Sequence, residues 1–353
     1  MRVLSVVGAR PQFIKAAPVQ RALAARHEVI AVHTGQHYDD NMSGVFYREL
    51  EIAEPDMHLG VGSGTHAQQT AAMFERLEPV MIEQKPDCVL VYGDTNTTVA
   101  AAVVAAKLVL PIAHVEAGLR SFNRAMPEEQ NRVVTDHLSA LLLCPTDDAV
   151  RHLAAEGITK GVHQIGDVME EALIAAAQRA QSVSDILARL QVQEGAYALV
   201  TVHRAENTDN AARLAAILAA INRLDGAVVF PMHPRTRQAV GRVGWQPRPH
   251  VKVIEPLGYL DMVRLEGSAR VILTDSGGVQ KEAYWLGVPC VTLRDETEWV
   301  STLEQGRNDL AGADAAKIVT LANAARSRAG AGAPQALANS PSQRIAELIS
   351  RLG

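Results

Sequence analysis

Short unbroken apolar runs recur along the chain, each followed by a longer segment with helical spacing. The first are VLSVV (3–7), VIAVHT (29–34), DCVLVYGD (87–94) and PIAHVE (111–116), followed by LLLCPT and HQIGD. Between them lie a helix beginning near Gln12, the segment TNTTVAAAVVAAKLV, and PEEQNRVVTDHLS after a loop. Continuous β-branched runs mark strands buried on both faces, and their alternation with helices predicts a parallel sheet with helices on both sides. After a helical stretch (168–191) the pattern restarts with YALVTVHR, GAVVFPMHP, VKVIEPL, RVILTDSGG and PCVTLR. The expected fold is therefore α/β, in two βα-repeating halves: 1–166 and 167–339. The segment ARSRAGAGAPQALANSPSQ reads as a loop at its centre, and the last helix, within 340–353, is expected to pack back on the first half.

Composition narrows the class. At 353 residues the chain exceeds one ordinary core, which agrees with two domains. Its net charge of −5 gives no basic footprint, so no nucleic-acid partner is expected. No apolar run approaches the length of a membrane span, and VLSVV is too short for a signal-peptide core. Cys88, Cys144 and Cys290 lie far apart inside apolar runs, with no CxxC pair. They read as buried free thiols in a reducing compartment, so the expected location is cytoplasmic.

Ligands of such sheets bind beyond the carboxyl ends of the strands, and with two halves the expected site is the cleft between them. Polar residues collect at those ends. Gly8-Ala9-Arg10-Pro11 follows the first strand, with Lys15 one turn into the helix. Asp94 ends the third run, Glu116 the fourth, and His203-Arg204, His233-Pro234-Arg235 and Asp275-Ser276-Gly277-Gly278 end later ones. Ser-Gly-Gly between strand and helix leaves backbone N–H groups free at a positive helix terminus, where a phosphate fits, and Glu282 lies about a turn further on. The plainer reading is that Asp275 or Ser276 only caps the helix. Six bases from three strand ends (Arg10, Lys15, His203, Arg204, His233, Arg235) point to an anionic ligand. Asp94 and Glu116 follow consecutive strands, which in a parallel sheet puts them on one rim, and Glu128 starts a helix. Each alone has a bland reading, as a cap or as helix N-terminal charge. Together in a basic cleft they make acid–base catalysis plausible. No GxGxxG follows the first strand, and there is no GxxxxGK[ST], GxSxG or HExxH, so neither a dinucleotide cofactor nor a metal is expected.

The combination GARPQFIKAAP, TGQHYDDNM, YGDTNTT, HVEAGLRS, MPEEQNRVVTDHLS, TVHRAEN, MHPRTR, TDSGGVQKEA and LGVPCVTLRDETE resembles the non-hydrolysing UDP-N-acetylglucosamine 2-epimerases. The resemblance implies a GT-B type fold of two Rossmann-like domains facing a cleft, the second binding UDP. It implies Asp94, Glu116 and Glu128 as catalytic carboxylates, and His203 at the diphosphate, assisting departure of UDP. Arg10 and Lys15 would hold the nucleotide sugar, Ser276, Gly277 and Gly278 the phosphates, and Glu282 the ribose, with Arg204 a further substrate-binding residue. The expected reaction is reversible C2 epimerisation of UDP-GlcNAc to UDP-ManNAc, without cofactor, in a homodimer. Related expectations are the same chemistry on UDP-2,3-diacetamido-2,3-dideoxyglucuronate, a hydrolysing 2-epimerase, or a GT-B glycosyltransferase. GSGTH, LRSFN and DETEW are similar to the diacetamido-uronate branch, with Trp299 where some family members have Arg. Gln68-Gln69-Thr70 stands where substrate-regulated bacterial members have Arg-Gln-Thr.

In the stretch AHVEAGLRSFNRAMPEEQNR, Glu129 reads as helix N-terminal charge. Arg120, Arg124 and Arg132 have no assigned role beyond pairing with acids that hold the loop.

Overall fold

A computed structural model describes residues 1–36, 54–297, 299, 302–303, 306–325, 337 and 340–352. The chain divides into two compact units, Met1–Ala172 with Ala336–Gly353, and Leu173–Gln335. The first holds a seven-stranded sheet and the second a six-stranded one, and every pairing in both is parallel. The doubly wound α/β class read from the apolar runs is the class observed.

The first unit contains β1 (Arg2–Val7), β2 (Glu28–His33), β3 (Met57–His58), β4 (Cys88–Tyr92), β5 (Ile112–Val115), β6 (Leu141–Cys144) and β7 (Val162–Gln164), in the order β3-β2-β1-β4-β5-β6-β7. Central strands β4, β5 and β6 are buried at every residue, which is why their sequences are unbroken apolar runs. Side chains still alternate between two clusters. Val3, Val7, Leu90 and Tyr92 face Phe13, Ala16, Val19 and Leu23 of the helix Arg10–Ala24. Leu4, Val6, Val89 and Val91 face Met73, Leu77 and Met81 of the helix His66–Gln84, and the alanine-rich helix Asn96–Lys107. Small residues in that last helix let it lie close to the sheet.

The final helix, Pro341–Ile349, sets Ile345, Ala346 and Ile349 into the first of these clusters. Its start is fastened by Glu171, which accepts from the Ser340 and Ser342 hydroxyls (2.6 and 2.8 Å) and the Ser342 N–H (2.8 Å).

The second unit contains β8 (Tyr197–Thr201), β9 (Ala227–Pro231), β10 (Val251–Ile254), β11 (Val271–Thr274), β12 (Cys290–Thr292) and β13 (Asn308–Leu310), in the order β10-β9-β8-β11-β12-β13. Ala198 and Val200 pack on Leu214, Ile217 and Leu218 of the helix Ala211–Ile221, whereas Tyr197 and Leu199 pack on Leu265 and Ala283 from helices on the other face. Two short edge strands, β3 and β13, were not among the expected runs; neither carries an apolar run for a sequence pattern to find.

In each unit the strand order reverses once, at β1/β4 in the first and β8/β11 in the second. At such a point neighbouring loops diverge to opposite faces and leave a crevice at the strands' carboxyl ends. The loops after β1 and β4 carry Gly8 and Asp94; those after β8 and β11 carry His203 and Ser276.

Candidate active site

The first unit brings four of its charged residues together at the ends of β4 and β5. These strands are neighbours, with Val91 beside His114 and Tyr92 beside Val115. Glu116 follows β5 directly and has φ +72°, a left-handed conformation uncommon for a residue with a side chain. Its backbone N–H and that of Ala117 both donate to the Leu143 carbonyl, at 3.0 and 3.2 Å, which holds the turn. The Glu116 carboxylate pairs with the Lys15 ammonium, and both side chains are largely buried. Burial opposes the Lys15 charge, but Glu116, with Asp94 and Asp167 further off, holds the ammonium above its ordinary range. Gly93, the residue before Asp94, has φ +62°. A Cβ there would stand 3.1 Å from Glu116 Oε2 and 3.2 Å from Lys15 Nζ, so glycine keeps this corner open.

Asp94 pairs with Arg132, whose other amine reaches Glu129 at 3.1 Å. Glu129 is 4% exposed and does more than complement the helix dipole. It accepts from the Ser121 N–H and hydroxyl and the Phe122 N–H, each at 2.9 Å, so it closes the loop before the helix Pro127–Leu138. Burial would raise its acidity constant's pKa, but these donors and Arg132 outweigh burial and hold the carboxyl below the usual range. Glu128, one residue earlier, is exposed. The arginines of this stretch divide the same way: Arg132 serves Asp94 and Glu129, whereas Arg120 turns inward to Asp136 and Glu156.

The loop after β1 is tightly built. Gln12 accepts from the N–H groups of Gly8 and Ala9 (2.8 and 3.0 Å) and donates to the Tyr92 carbonyl (2.8 Å). A Cβ on Gly8 would lie 2.1 Å from Thr34 Oγ1 and 2.2 Å from Thr97 Oγ1. The side chain of Arg10, and residues 37–53 with most of TGQHYDDNM, lie outside the described residues.

In the second unit Asp275 is fully buried and is not a helix cap. Its carboxylate accepts from the His203 N–H (3.0 and 3.1 Å), the Arg204 N–H (3.0 Å) and Asn207 Nδ2 (3.1 Å). It thus fastens the loop after β8 to the loop after β11. His203 Nδ1 lies 3.3 Å from Asp275. Burial lowers the His203 pKa, and His233, Arg204 and Arg235 act in the same direction against the pull of Asp275. Ser276 is the cap of the helix Gly277–Leu286, its oxygen accepting from the Val279 N–H at 3.4 Å. Its hydroxyl hydrogen stays available to a ligand, as do the first helical N–H groups at Gly277 and Gly278. Glu282 is half-buried further along the same helix. Arg235 pairs with Asp209 at 2.7 Å, and His233 caps the helix Pro234–Val243, so these two of the six bases have local structural partners.

Sequence reasoning missed the most buried charge cluster, His114, Asp136, Arg120 and Glu156. Its signal is the histidine inside the otherwise apolar strand IAHV. The Gln68-Gln69-Thr70 segment is engaged locally: Gln68 completes a capping box with Thr65, Gln69 donates to the Gly62 carbonyl at 2.9 Å, and Thr70 donates to the His66 carbonyl at 2.8 Å. All three cysteines are buried free thiols, each pushed up to about 12 by burial. Among the described residues no helix is long and apolar enough to cross a membrane, and no three His, Cys, Asp or Glu side chains are grouped to hold a metal ion.

Comparison with known proteins fits this arrangement. The profile of the family described as UDP-N-acetylglucosamine 2-epimerase matches residues 21–349. A UDP-N-acetylglucosamine 2-epimerase homolog of Methanococcus maripaludis is 49% identical over 324 residues, covering 90% of this chain and 91% of that one. The UDP-2,3-diacetamido-2,3-dideoxy-D-glucuronate 2-epimerase of Pseudomonas aeruginosa is 46% identical over 361 residues, covering 100% of both. The crystal structure of the Methanocaldococcus jannaschii UDP-GlcNAc 2-epimerase in complex with UDP-GlcNAc and UDP superposes with a TM-score of 0.84 at 40% identity, covering 99% of this chain and 100% of that one. The chain belongs to the UDP-N-acetylglucosamine 2-epimerase family and is an isomerase of the GT-B type.

Proposed function

We propose that the protein interconverts UDP-GlcNAc and UDP-ManNAc by eliminating UDP and adding it back. The observation that carries this is the pair of carboxylates, Asp94 and Glu116, at the ends of adjacent strands, each held by its own cation, in a chain matching the family nearly end to end. The hydrogen on C2 of a pyranose has no neighbouring carbonyl to acidify it, so deprotonation alone does not epimerise. In the elimination route a carboxylate takes the C2 proton as the C1–O bond breaks. The electron pair of the C–H bond becomes the C1=C2 bond of a glycal, and that of the C1–O bond leaves with UDP. A second carboxylic acid then protonates C2 from the opposite face, and a UDP oxygen bonds to C1. Asp94, Glu116 and Glu128 are the proton-transfer groups in this scheme, each worth roughly 10²–10⁴-fold in rate.

The second unit supplies what free UDP needs. The first N–H groups of the helix Gly277–Leu286, with Ser276 as its cap, favour a diphosphate. His203 and Arg204, fastened through Asp275, add donors to the leaving group, and Glu282 takes the ribose hydroxyls. Arg10 and Lys15 hold the sugar in the same scheme. The three buried thiols fit a cytoplasmic enzyme, and by resemblance we propose a homodimer, which light scattering after gel filtration tests.

A second reading keeps the chemistry and changes the sugar to UDP-2,3-diacetamido-2,3-dideoxyglucuronate. It is favoured by the end-to-end match to the Pseudomonas aeruginosa enzyme and by Trp299 in DETEW. Turnover of both nucleotide sugars side by side decides between them. Faster C2 inversion of UDP-GlcNAc supports the first reading; turnover of the diacetamido uronate alone replaces it with the second. Release of free ManNAc and UDP contradicts both.

A further inference from the structure

His114 sits in β5, fully buried, with Nδ1 2.7 Å from Asp136 Oδ1 and Nε2 2.7 Å from the Gly93 carbonyl oxygen. Both neighbours are acceptors, so both contacts are satisfied only when each ring nitrogen carries its hydrogen. Asp136 is also fully enclosed, and its other oxygen accepts from the Gly118 N–H at 3.1 Å and from Arg120 Nη1 at 2.6 Å. Arg120 continues to Glu156 through Nε and Nη2, at 2.6 and 2.8 Å. When His114 carries both ring hydrogens, the four groups alternate in sign from the interior outward and each buried charge faces an opposite one.

The two ends of the His114–Asp136 pair hold the backbone beside the two acids. His114 grips the carbonyl of Gly93, the residue before Asp94, and Asp136 grips the N–H of Gly118, two residues after Glu116. Gly118, at φ +80°, is pressed so closely on the Ala149 carbonyl that a Cβ would stand 2.4 Å from its oxygen. The loops carrying Asp94 and Glu116 are therefore tied to one buried pair.

We propose that His114 and Asp136 are positioning residues of the epimerase reaction: held as one buried ion pair, they set the separation of Asp94 and Glu116. The inference rests on the reading of those two carboxylates as proton-transfer groups. A displacement of about 1 Å at reacting groups costs about 100-fold in rate. Neither His114 nor Asp136 has a hydrogen bond to the Asp94 or Glu116 carboxylate, so loss of the pair affects turnover while leaving UDP affinity, a property of the second unit, in place.

The test compares His114→Asn, His114→Gln and Asp136→Asn with Asp94→Asn in the full-length protein. Asparagine places its amide near the Nδ1 position and keeps the Asp136 contact; glutamine reaches the Nε2 position and keeps the Gly93 contact. The expected result is a fall of about 100-fold in kcat for His114→Asn, with KM and the calorimetric UDP affinity within threefold of wild type, and partial recovery in His114→Gln. In parallel, ¹⁵N spectra of histidine-labelled wild type at neutral pH should show a bonded hydrogen on both ring nitrogens of His114. Unchanged kcat in both His114 variants, or a single ring N–H in the wild-type spectrum, overturns the proposal, whether or not a variant folds. If Asp94→Asn is fully active as well, the underlying reading of the carboxylates fails instead.

Discussion

Replacing Lys15 by methionine removes one charge and keeps most of the volume. Its ammonium faces Glu116, and the two side chains are only 11% and 14% exposed. Taking one partner from a buried pair costs about 3–5 kcal/mol, because the other charge stays desolvated and uncompensated. The residual exposure of Glu116 places the cost near about 3 kcal/mol. At roughly 2–4 °C per kcal/mol for a unit of this size, the first unit should melt about 6–12 °C lower. Scanning calorimetry at pH 7.5 measures this directly. The double variant Lys15→Met/Glu116→Gln carries no charge at the pair and should regain more than half of the lost stability, the sign of direct coupling. Its turnover should stay at least about 100-fold below wild type, since Glu116 is then no acid or base. A Lys15→Met protein melting within about 2 °C of wild type, or a double variant less stable than either single one, refutes the reasoning.

Other outcomes follow from the same geometry. Gly8→Ala drives a methyl group onto Thr34 and Thr97, whose oxygens stand 2.1 and 2.2 Å from the new Cβ; the cost is about 1–3 kcal/mol or more, read in urea denaturation. Asp275→Asn breaks the carboxylate that holds the His203 and Arg204 N–H groups, so calorimetric UDP binding should weaken at least about 10-fold, a loss of at least ~1.4 kcal/mol. Burial lowers the His33 pKa to about 4 from 6.5, His58 adding to the shift, so the unfolded chain binds the proton more readily. That group therefore removes stability as pH falls from about 6.5 to about 4, and His33→Phe, stacked on Phe13 as the imidazole is, should flatten this part of the melting-temperature profile. Asp136 acts at lower pH: burial opposes its charge, but His114 and Arg120 hold its pKa below the ordinary value. Its contribution is complete above the unfolded pKa, near 4, and is lost as pH falls below it toward the folded value, so Asp136→Asn should be less acid-labile in relative terms.

The architecture was legible because both sheets are parallel and covered on both faces. Strands such as β4 and β5 had to be continuous apolar runs, and the residues just beyond them, Asp94 and Glu116, were visible as polar punctuation. The edge strands β3 and β13 escaped because strands of two and three residues carry no period. Within the site, the acids were legible but their partners were not. Lys15 with Glu116 and Arg132 with Asp94 are separated by 101 and 38 residues, and only the fold brings them together. Glu129 read as helix charge because its donors, Ser121 and Phe122, belong to a loop whose path no local pattern specifies. His114 left a trace as a polar residue within an apolar strand, yet its meaning depends on Asp136, supplied by a helix 22 residues away.

The central claim is that C2 loses and regains its proton as UDP departs and returns. Proton NMR of UDP-GlcNAc incubated with the enzyme in D₂O tests it most directly. The account predicts a UDP-ManNAc product, and recovered UDP-GlcNAc, both carrying deuterium at C2. A product that retains its original hydrogen at C2 contradicts it.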